Sequence, residues 1–352
     1  KRFLPFLTRP HTVNAQKWTY RAQEFKSSWK KMKERTSAGG KTHFGHMKAM
    51  IGSEELTTFE ADLASLPYEY GFAPPRWRPV TNCFIEKKPN NYNVEKLRII
   101  MLIAPEANHN NKVLGRITME EAERSKTMPP EQGGSRKGRD VNGMSLPKVF
   151  TFDIARQHLT PGALCSNDAK SCYDRILLYI ASLCLQRAGA PKEATEAMLR
   201  IIYKWAHRVR TAFGESDAYF EAEKWHIPIH GIGQGNGAGP TIWAVISAPM
   251  MEFLRANEHG IKWTTPLTDE DIHVVAFAFV DDCDLPTLLM NKHEPPTPRI
   301  QQALHDWGGA LNVTGGALVP NKSFWYYIHP TLTNEGKTKY LPPPQNHSKL
   351  YM

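Results

Sequence analysis

Short apolar runs bounded by polar and turn-forming residues predict β-strands along the chain. The run 80–87 ends at a turn signal, Pro89-Asn90-Asn91, and a second apolar run follows at 97–103. The run 274–280 is also short and apolar, and charged residues bound it. These segments predict three strands. A hairpin is further predicted from Val209 to Ile227, turning near residues 214–216.

Apolar residues at helical spacing predict helices between the strands. Phe25, Trp29 and Met32 have this spacing before the breaker at 37–40. Further helices are predicted at 175–188, at 191–206 with Pro191 in the first turn, and from Pro240 to just before Gly260. The Gly/Pro-rich and basic stretch 129–148 predicts a loop or connector. Together these elements predict an α+β fold with a mostly antiparallel sheet.

Length and composition narrow the class of protein. With 352 residues, 41% of them apolar, the chain can bury a substantial core in one large domain or in two to three lobes. Its start at Lys1 rather than Met suggests a fragment of a longer protein. Five cysteines without a CxxC pair argue against a disulfide framework or a structural zinc site, and favour a reducing compartment. No signal peptide or membrane-length apolar run occurs, so we expect no membrane partner.

The positive charge is concentrated at the N-terminus. Residues 1–50 hold twelve Lys and Arg side chains against only Glu24 and Glu34, while the whole chain carries a net charge of +9. A concentrated basic segment attracts polyanions, because neutralised phosphates release their counterions. A solvated basic helix explains the same run equally well.

The most informative segment is the apolar run that ends in Asp281-Asp282 and resumes at Leu285. This pattern predicts a hairpin with both carboxylates at its tip. Neighbouring carboxylates repel each other unless a cation lies between them, and Mg²⁺ suits such an oxygen-only site. An Asp-Asp turn is also typical of an exposed loop.

Two further segments carry candidate chemistry. Asp168 is expected to end a strand, whereas Asp174 is expected near a helix start, where its charge favours the helix dipole. Asp168 is therefore the better ligand candidate, and beside Asp281 it would complete a two-metal site. The glycine-rich segment 231–239 precedes the helix at Pro240 and offers backbone N–H groups to a ligand, although such helix entries are often plain loops.

In chain order, these motifs resemble the palm motifs of reverse transcriptases. The resemblance rests on 168–174, 234–240, 279–282 and 315–322. Upstream, 87–100 and 132–139 resemble the fingers motifs of the non-LTR retrotransposon and group II intron branch, so that the similarity covers roughly 76–328.

The resemblance implies a right-hand polymerase fold, with an antiparallel palm sheet packed on helices, a fingers subdomain and little or no thumb. The implied regions are a basic N-terminal extension or start of the fingers at 1–75, fingers at 76–149, a catalytic palm at 150–330, and the start of a thumb or a disordered tail at 331–352.

The resemblance also implies roles for particular residues. Asp168 and Asp281 would hold two Mg²⁺ ions, with Mn²⁺ as a possible substitute, and Asp282 would support them electrostatically. Lys322 would donate a proton to pyrophosphate; its alternative is an ordinary surface lysine. Tyr173 would act as a steric gate against a 2′-hydroxyl, or else as a core aromatic.

The resemblance implies five nucleotide-binding residues. Lys88 and Arg98 would grip the triphosphate, Tyr173 would pack under the sugar, and Gln234 and Gly235 would contact the incoming nucleotide and the template base. In the looser fingers region, Lys87 or Lys96 could take the lysine role. The polar residues Ser166 and Asn167 before Asp168 suggest a short or edge strand.

The expected activity is RNA-directed DNA polymerisation in a retroelement, with an RNA template, a DNA primer and product, and dNTPs as partners. The resemblance also implies a nuclear or cytoplasmic location. Three alternatives remain open: a silent nucleic-acid-binding remnant, an RNA-directed RNA polymerase, and a nuclease using the same aspartates.

Overall fold

The computed structural model describes residues 2–226, 231–265, 267–289, 295–343 and 349–351. It mixes helices and strands throughout, which confirms the α+β class. The helices are α1 Ala22–Lys30, α2 Phe44–Met50, α3 Glu54–Tyr70, α4 Pro105–Arg124, α5 Val141–Gln157, α6 Cys172–Arg175, α7 Leu178–Arg187, α8 Lys192–Tyr203, α9 Ala222–Trp225, α10 Gly239–Ala256 and α11 Thr297–Val313. The strands are β1 Pro79–Glu86, β2 Leu97–Leu102, β3 Gly162–Asn167, β4 Ala206–Thr211, β5 Gly214–Glu215, β6 Phe220–Glu221, β7 Ile261–Thr264, β8 Asp271–Val274, β9 Phe277–Phe279, β10 Asp282–Leu288, β11 Phe324–Ile328, β12 Pro330–Leu332 and β13 Thr338–Tyr340.

The chain forms two compact units, each assembled from separated segments. The first unit comprises Lys1–Thr8, Lys126–Arg175 and Trp243–Met352, and the second comprises Arg9–Ser125 and Ile176–Ile242. The division into extension, fingers, palm and tail describes functional regions, and it stays a prediction.

An antiparallel four-stranded sheet forms the centre of the first unit. Its strand order is β11-β3-β10-β9, and α11 packs against β3 and β10 while α5 packs against β9. The strand before Asp168 was expected to be either short or an edge strand. β3 has six residues, and it is not an edge strand, because it pairs with a strand on each side. Small side chains such as Ala163 and Cys165 allow β3 to be buried on both faces.

A mixed sheet organises the second unit. β1 pairs antiparallel with β2 and parallel with β4, and β5 and β6 both pair with β4. The parallel pair brings together segments more than a hundred residues apart, with helices in the intervening chain, as parallel pairing requires. α3 packs against α1, α4 and α8 around a core of large aromatic side chains that includes Trp29, Tyr68 and Trp77.

Several predicted helix bounds are corrected. The loop or connector predicted at 129–148 is too long, because α5 begins at Val141. Asp140 caps this helix, and its side chain accepts a hydrogen bond from the Gly143 N–H at 2.7 Å. The predicted helix 175–188 is interrupted after the short α6 and resumes as α7. Pro191 precedes α8 as its N-cap rather than lying in its first turn, and α8 ends before Trp205.

The strand predictions need smaller corrections. The predicted strand 274–280 is two strands, because residues 275–276 separate β8 from β9. The hairpin of β4 and β5 turns at 212–213, slightly before the predicted turn, and its predicted end at Ile227 lies outside the described residues. In the predicted tail, β12 and β13 form a hairpin. Residues 344–348 and 352 of that tail lie outside the described residues.

Within the described ranges, none of the helices combines the length and apolar character of a membrane span.

Candidate active site

The two neighbouring aspartates lie at the tip of the β9–β10 hairpin, as the sequence predicts. β9 ends at Phe279 and β10 begins at Asp282, so that Val280 and Asp281 form the connection. Val280 has a φ of 56°, in the left-handed region that β-branched residues rarely adopt. Such a turn persists only where surrounding contacts hold it.

Those contacts come chiefly from Gln132. Its Oε1 accepts a hydrogen bond from the Val280 N–H at 3.1 Å, and its Nε2 donates to the Val280 carbonyl at 3.2 Å. Trp243 Nε1 donates to the same carbonyl at 2.6 Å. Gln132 is 1% exposed, and its side-chain amide also donates to Ser247 Oγ at 3.1 Å. The backbone of Val280 is therefore fixed at both its N–H and its C=O.

Gly134 allows the segment around Gln132 to lie close to the β9–β10 hairpin. The Gly133 N–H donates to the Ala278 carbonyl at 2.9 Å, and the Ala278 N–H donates to the Glu131 carbonyl at 3.0 Å. A Cβ on Gly134 would lie 2.3 Å from the Val280 nitrogen, which is closer than any side chain permits. The motif 132–139 therefore lies directly against the carboxylate hairpin within the first unit.

Asp168 lies beside the same hairpin. It follows β3, and the last pair of the β3–β10 ladder is Asn167 with Cys283, so that Asp168 and Asp282 flank that pair. The Asp168 N–H donates to Ser323 Oγ at 3.3 Å, and the Asp168 carbonyl accepts from the Val319 N–H at 2.9 Å. The structure therefore brings three predicted aspartates to one end of one sheet.

Lys322 joins this group from the segment after α11. Its Nζ lies 2.8 Å from Asp168 Oδ2, although its side chain is 68% exposed. The Lys170 N–H donates to the Ala317 carbonyl at 2.8 Å, so the predicted motif 315–322 runs alongside the chain that follows β3. An exposed lysine beside a carboxylate is free to contact a ligand as well.

The carboxylates repel one another. Partial burial raises the pKa of Asp282, and the negative charges of Asp281, Asp168 and Asp284 raise it further. Asp284 has its own cation, because Lys148 of α5 forms an ion pair with it. The remaining negative charge lies on Asp168, Asp281 and Asp282. Lys322 is the cation that contacts Asp168.

Cys172 and Tyr173 line the approach to Asp281. The Cys172 thiol donates to Asp281 Oδ2 at 3.6 Å, and burial, with the charge of Asp281, raises its pKa, so the thiol stays protonated. The half-buried Tyr173 follows directly, and burial raises the pKa of its hydroxyl, with contributions from Cys172 and Asp281. Tyr173 is therefore a neutral ring next to the carboxylates.

The donor set suits a hard divalent cation. Among the described residues, no three His, Cys, Asp or Glu side chains converge as a ready-made metal cage. The chemistry of the group fits Mg²⁺ nonetheless, since the donors are carboxylate oxygens. Burial raises the pKa of Asp282 most, and a cation would relieve the repulsion that raises it further.

The predicted glycine-rich loop belongs to the second unit. The Gln234 carbonyl accepts a hydrogen bond from the Met101 N–H at 2.7 Å, at the end of β2. Asn108 of α4 donates to the Gly235 carbonyl at 3.1 Å and accepts from the Gly237 N–H at 2.6 Å. Gly235 has a φ of 123°, and a Cβ there would lie 2.4 Å from the Met101 oxygen. The loop is thus fixed to β2 and α4.

Lys88 and Arg98 also lie in the second unit, and both are exposed. Lys88 is in the connection between β1 and β2, and Arg98 lies opposite Ile85 in their ladder. β2 carries Arg98 and also holds the glycine loop through Met101, so that strand links two of the predicted nucleotide-binding elements.

Sequence reasoning missed Gln132, Trp243 and Cys172 as individual contributors. Gln132 stood inside a recognised motif, but its partner Val280 is 148 positions away. Cys172 was adjacent to Tyr173, and only the packing of α6 shows its contact with Asp281. No local pattern marks Trp243 as a donor to the turn.

No protein-family model matches the chain, and no curated protein matches it.

Proposed function

We propose that this chain is the catalytic core of an RNA-directed DNA polymerase, which transfers nucleotides from dNTPs to a primer 3′-hydroxyl. The observation that carries the proposal is that Asp168, Asp281 and Asp282 lie at the same end of the β3–β10 pair, where the charges of Asp168 and Asp281 act on Asp282. Two of these carboxylates are 113 positions apart in the chain, yet the fold concentrates their charge. Carboxylates in such a group are the ligands used for two-metal phosphoryl transfer.

We also propose a right-hand polymerase fold for the chain. A right-hand polymerase fold, with the first unit's antiparallel sheet as palm, agrees with the strand order β11-β3-β10-β9. The order of the motifs along the chain, which resembles that of reverse transcriptases, supports this assignment. The nucleotide-binding roles of Lys88, Arg98, Gln234 and Gly235 rest on the resemblance.

The contacts support the roles that the resemblance implies. Asp168 and Asp281 would hold Mg²⁺, and Asp282 would add negative charge beside them. Bound Mg²⁺ lowers the pKa of a hydroxyl nucleophile and stabilises a leaving phosphate. Lys322, already against Asp168, is positioned to give its proton to a departing pyrophosphate once ligand binding draws it away. The buried amide of Gln132 keeps the hairpin turn in place, which is the positioning that phosphoryl transfer depends on.

Primer extension tests this proposal. The chain is incubated with a poly(rA)/oligo(dT) duplex, dTTP and Mg²⁺ or Mn²⁺, beside the double variant Asp281→Ala/Asp282→Ala. We expect extension by the wild-type chain and none by the variant, with equal binding of the duplex by both.

The same assay separates the alternatives. A binding remnant retains the duplex without extending it, and a nuclease shortens the template. An RNA-directed RNA polymerase uses UTP in preference to dTTP. Any of these results with folded protein contradicts the proposal.

A further inference from the structure

Helix α3 of the second unit buries only one of its faces. Its inner face is made of mostly small residues, including Thr57, Ala61 and Ala64, together with the large ring of Tyr68. This face packs against α1, α4 and α8. Tyr68 donates a hydrogen bond to Asn111 of α4, which fixes the rotation of the helix. The outer face is therefore held in one orientation.

The outer face carries a continuous apolar stripe. Its members are Leu56, Phe59, Leu63, Leu66 and Tyr70. Leu56 is 49% exposed, Phe59 62%, Leu66 40% and Tyr70 71%. Their spacing alternates between three and four residues, which is the spacing of the a and d positions of a helical seam. An ordinary solvated helix face would carry polar residues here.

An acidic row borders the stripe. Glu55, Asp62 and Glu69 are spaced seven residues apart, so all three lie along one edge of the seam, and all are exposed. In paired helices, the residues that flank the seam determine which partner is accepted. A row of negatively charged residues therefore favours a partner with positively charged residues at the facing positions.

A shallow depression of about 420 Å³ lies between the row and the stripe. Its walls are Glu54, Glu55, Thr58, Phe59 and Asp62. Three carboxylates and an aromatic ring suit a lysine or arginine side chain, which places its methylene stem on the ring and its charge near the acids.

We propose that α3 is a docking site for an amphipathic helix of a partner polypeptide, whose apolar seam covers the stripe and whose lysines or arginines face the acidic row. A second copy of this chain fits poorly, because an antiparallel pair of α3 helices brings two acidic rows together. The site is independent of the proposed polymerase activity, since none of its residues belongs to the candidate active site.

Two designed peptides test the docking site. Both are three-heptad helices with leucine at the a and d positions, and they differ only in having lysine or glutamate at e and g. Fluorescence anisotropy with the full chain is expected to show the lysine peptide binding about tenfold more tightly, since three flanking charge pairs favour it. Added salt should reduce this preference.

Variants identify the surface. The triple reversal Glu55→Lys/Asp62→Lys/Glu69→Lys should invert the preference, and Phe59→Ser/Leu66→Ser should abolish binding of both peptides. A matched control, Glu95→Lys/Glu120→Lys/Asp217→Lys, changes the net charge equally at exposed positions outside α3 and should retain the preference of the wild-type chain.

Equal binding of the two peptides, or a preference that the α3 reversal leaves unchanged in a variant with wild-type thermal stability, would overturn the proposal. Sedimentation provides a second readout. A dimer that the Phe59→Ser/Leu66→Ser variant dissociates would assign the stripe to a second copy of the chain instead.

Discussion

The side chain of Gln132 hydrogen-bonds both the N–H and the carbonyl of Val280, at 3.1 and 3.2 Å. A primary amide is suited to this task because it offers a donor and an acceptor on one planar group. The result is a left-handed turn at Val280, held directly beside Asp281. The orientation of that carboxylate therefore depends on a residue from a distant part of the sequence.

Replacing Gln132 with alanine should weaken both stability and extension. The change leaves the half-buried Val280 N–H and the buried Gly134 N–H without the acceptor that Oε1 provides, at a cost of about 2–3 kcal/mol in the free energy of unfolding. The turn also loses its position, so we expect the extension rate to fall about 100-fold. Urea unfolding and single-nucleotide addition measure the two effects. The matched control is Gln302→Ala, an exposed glutamine on α11; equal effects of both variants would contradict this role of Gln132.

Lys322→Ala should affect activity much more than stability. The ion pair with Asp168 involves a side chain that is 68% exposed, and exposed pairs contribute at most about 1 kcal/mol. Loss of a proton donor should lower the extension rate about 100-fold. The exposed pair of Lys337 and Glu335 supplies a control, since Lys337→Ala should change neither quantity appreciably. An unchanged extension rate in Lys322→Ala would remove this residue from the catalytic group.

Tyr173→Ala should relax the choice of sugar. If the half-buried ring excludes a 2′-hydroxyl, its removal should raise the ratio of UTP to dTTP incorporation about tenfold or more. Tyr173→Phe keeps the ring and should retain the wild-type ratio. Competition between the two nucleotides on one template gives the measurement, and an unchanged ratio in the alanine variant would leave Tyr173 as a packing residue.

Acid should destabilise the second unit through the buried His109 and the half-buried His207. Burial lowers the pKa of His207 from 6.5 to about 4, and burial with nearby cations lowers that of His109 from 6.5 to about 3. Both are neutral in the folded chain, whereas the unfolded chain binds their protons below pH 6.5. The stability that these histidines contribute above pH 6.5 is therefore lost as the pH falls towards their pKa values in the folded chain. For His207 the loss is about 2 kcal/mol in the free energy of unfolding at pH 5.

Urea unfolding between pH 7 and pH 5 checks this expectation. His207→Gln should lower the slope of the free energy of unfolding against pH, whereas the exposed His11→Gln should leave it closer to wild type. A slope that His207→Gln does not change would show that His207 is protonated equally in the two states.

The parts of the fold and site that local patterns encode were predictable. The β9–β10 hairpin, the position of Asp168 after β3 and the glycine loop before α10 each follow from an apolar run, a turn or a helix start in a few adjacent residues. The parallel pairing of β1 with β4 was not predictable, because it joins segments far apart in the chain. The hydrogen bonds from Gln132 and Trp243 to Val280 were not predictable either, because they also join residues far apart in the chain. The start of α5 at Val141 was not predicted, because the Gly and basic residues before it are typical of a loop and outweighed Asp140 as a helix N-cap.

The most direct test of the central claim compares Asp281→Asn with Asp284→Asn in Mg²⁺-dependent addition of a single dNTP to a primed RNA template. Both aspartates lie in the same hairpin segment, but Asp284 already pairs with Lys148 whereas Asp281 belongs to the proposed metal site. We predict that Asp281→Asn loses addition by about 100-fold or more while Asp284→Asn retains most of it. Equal activity of the two folded variants, or no addition by the wild-type chain with bound template, would contradict the polymerase assignment.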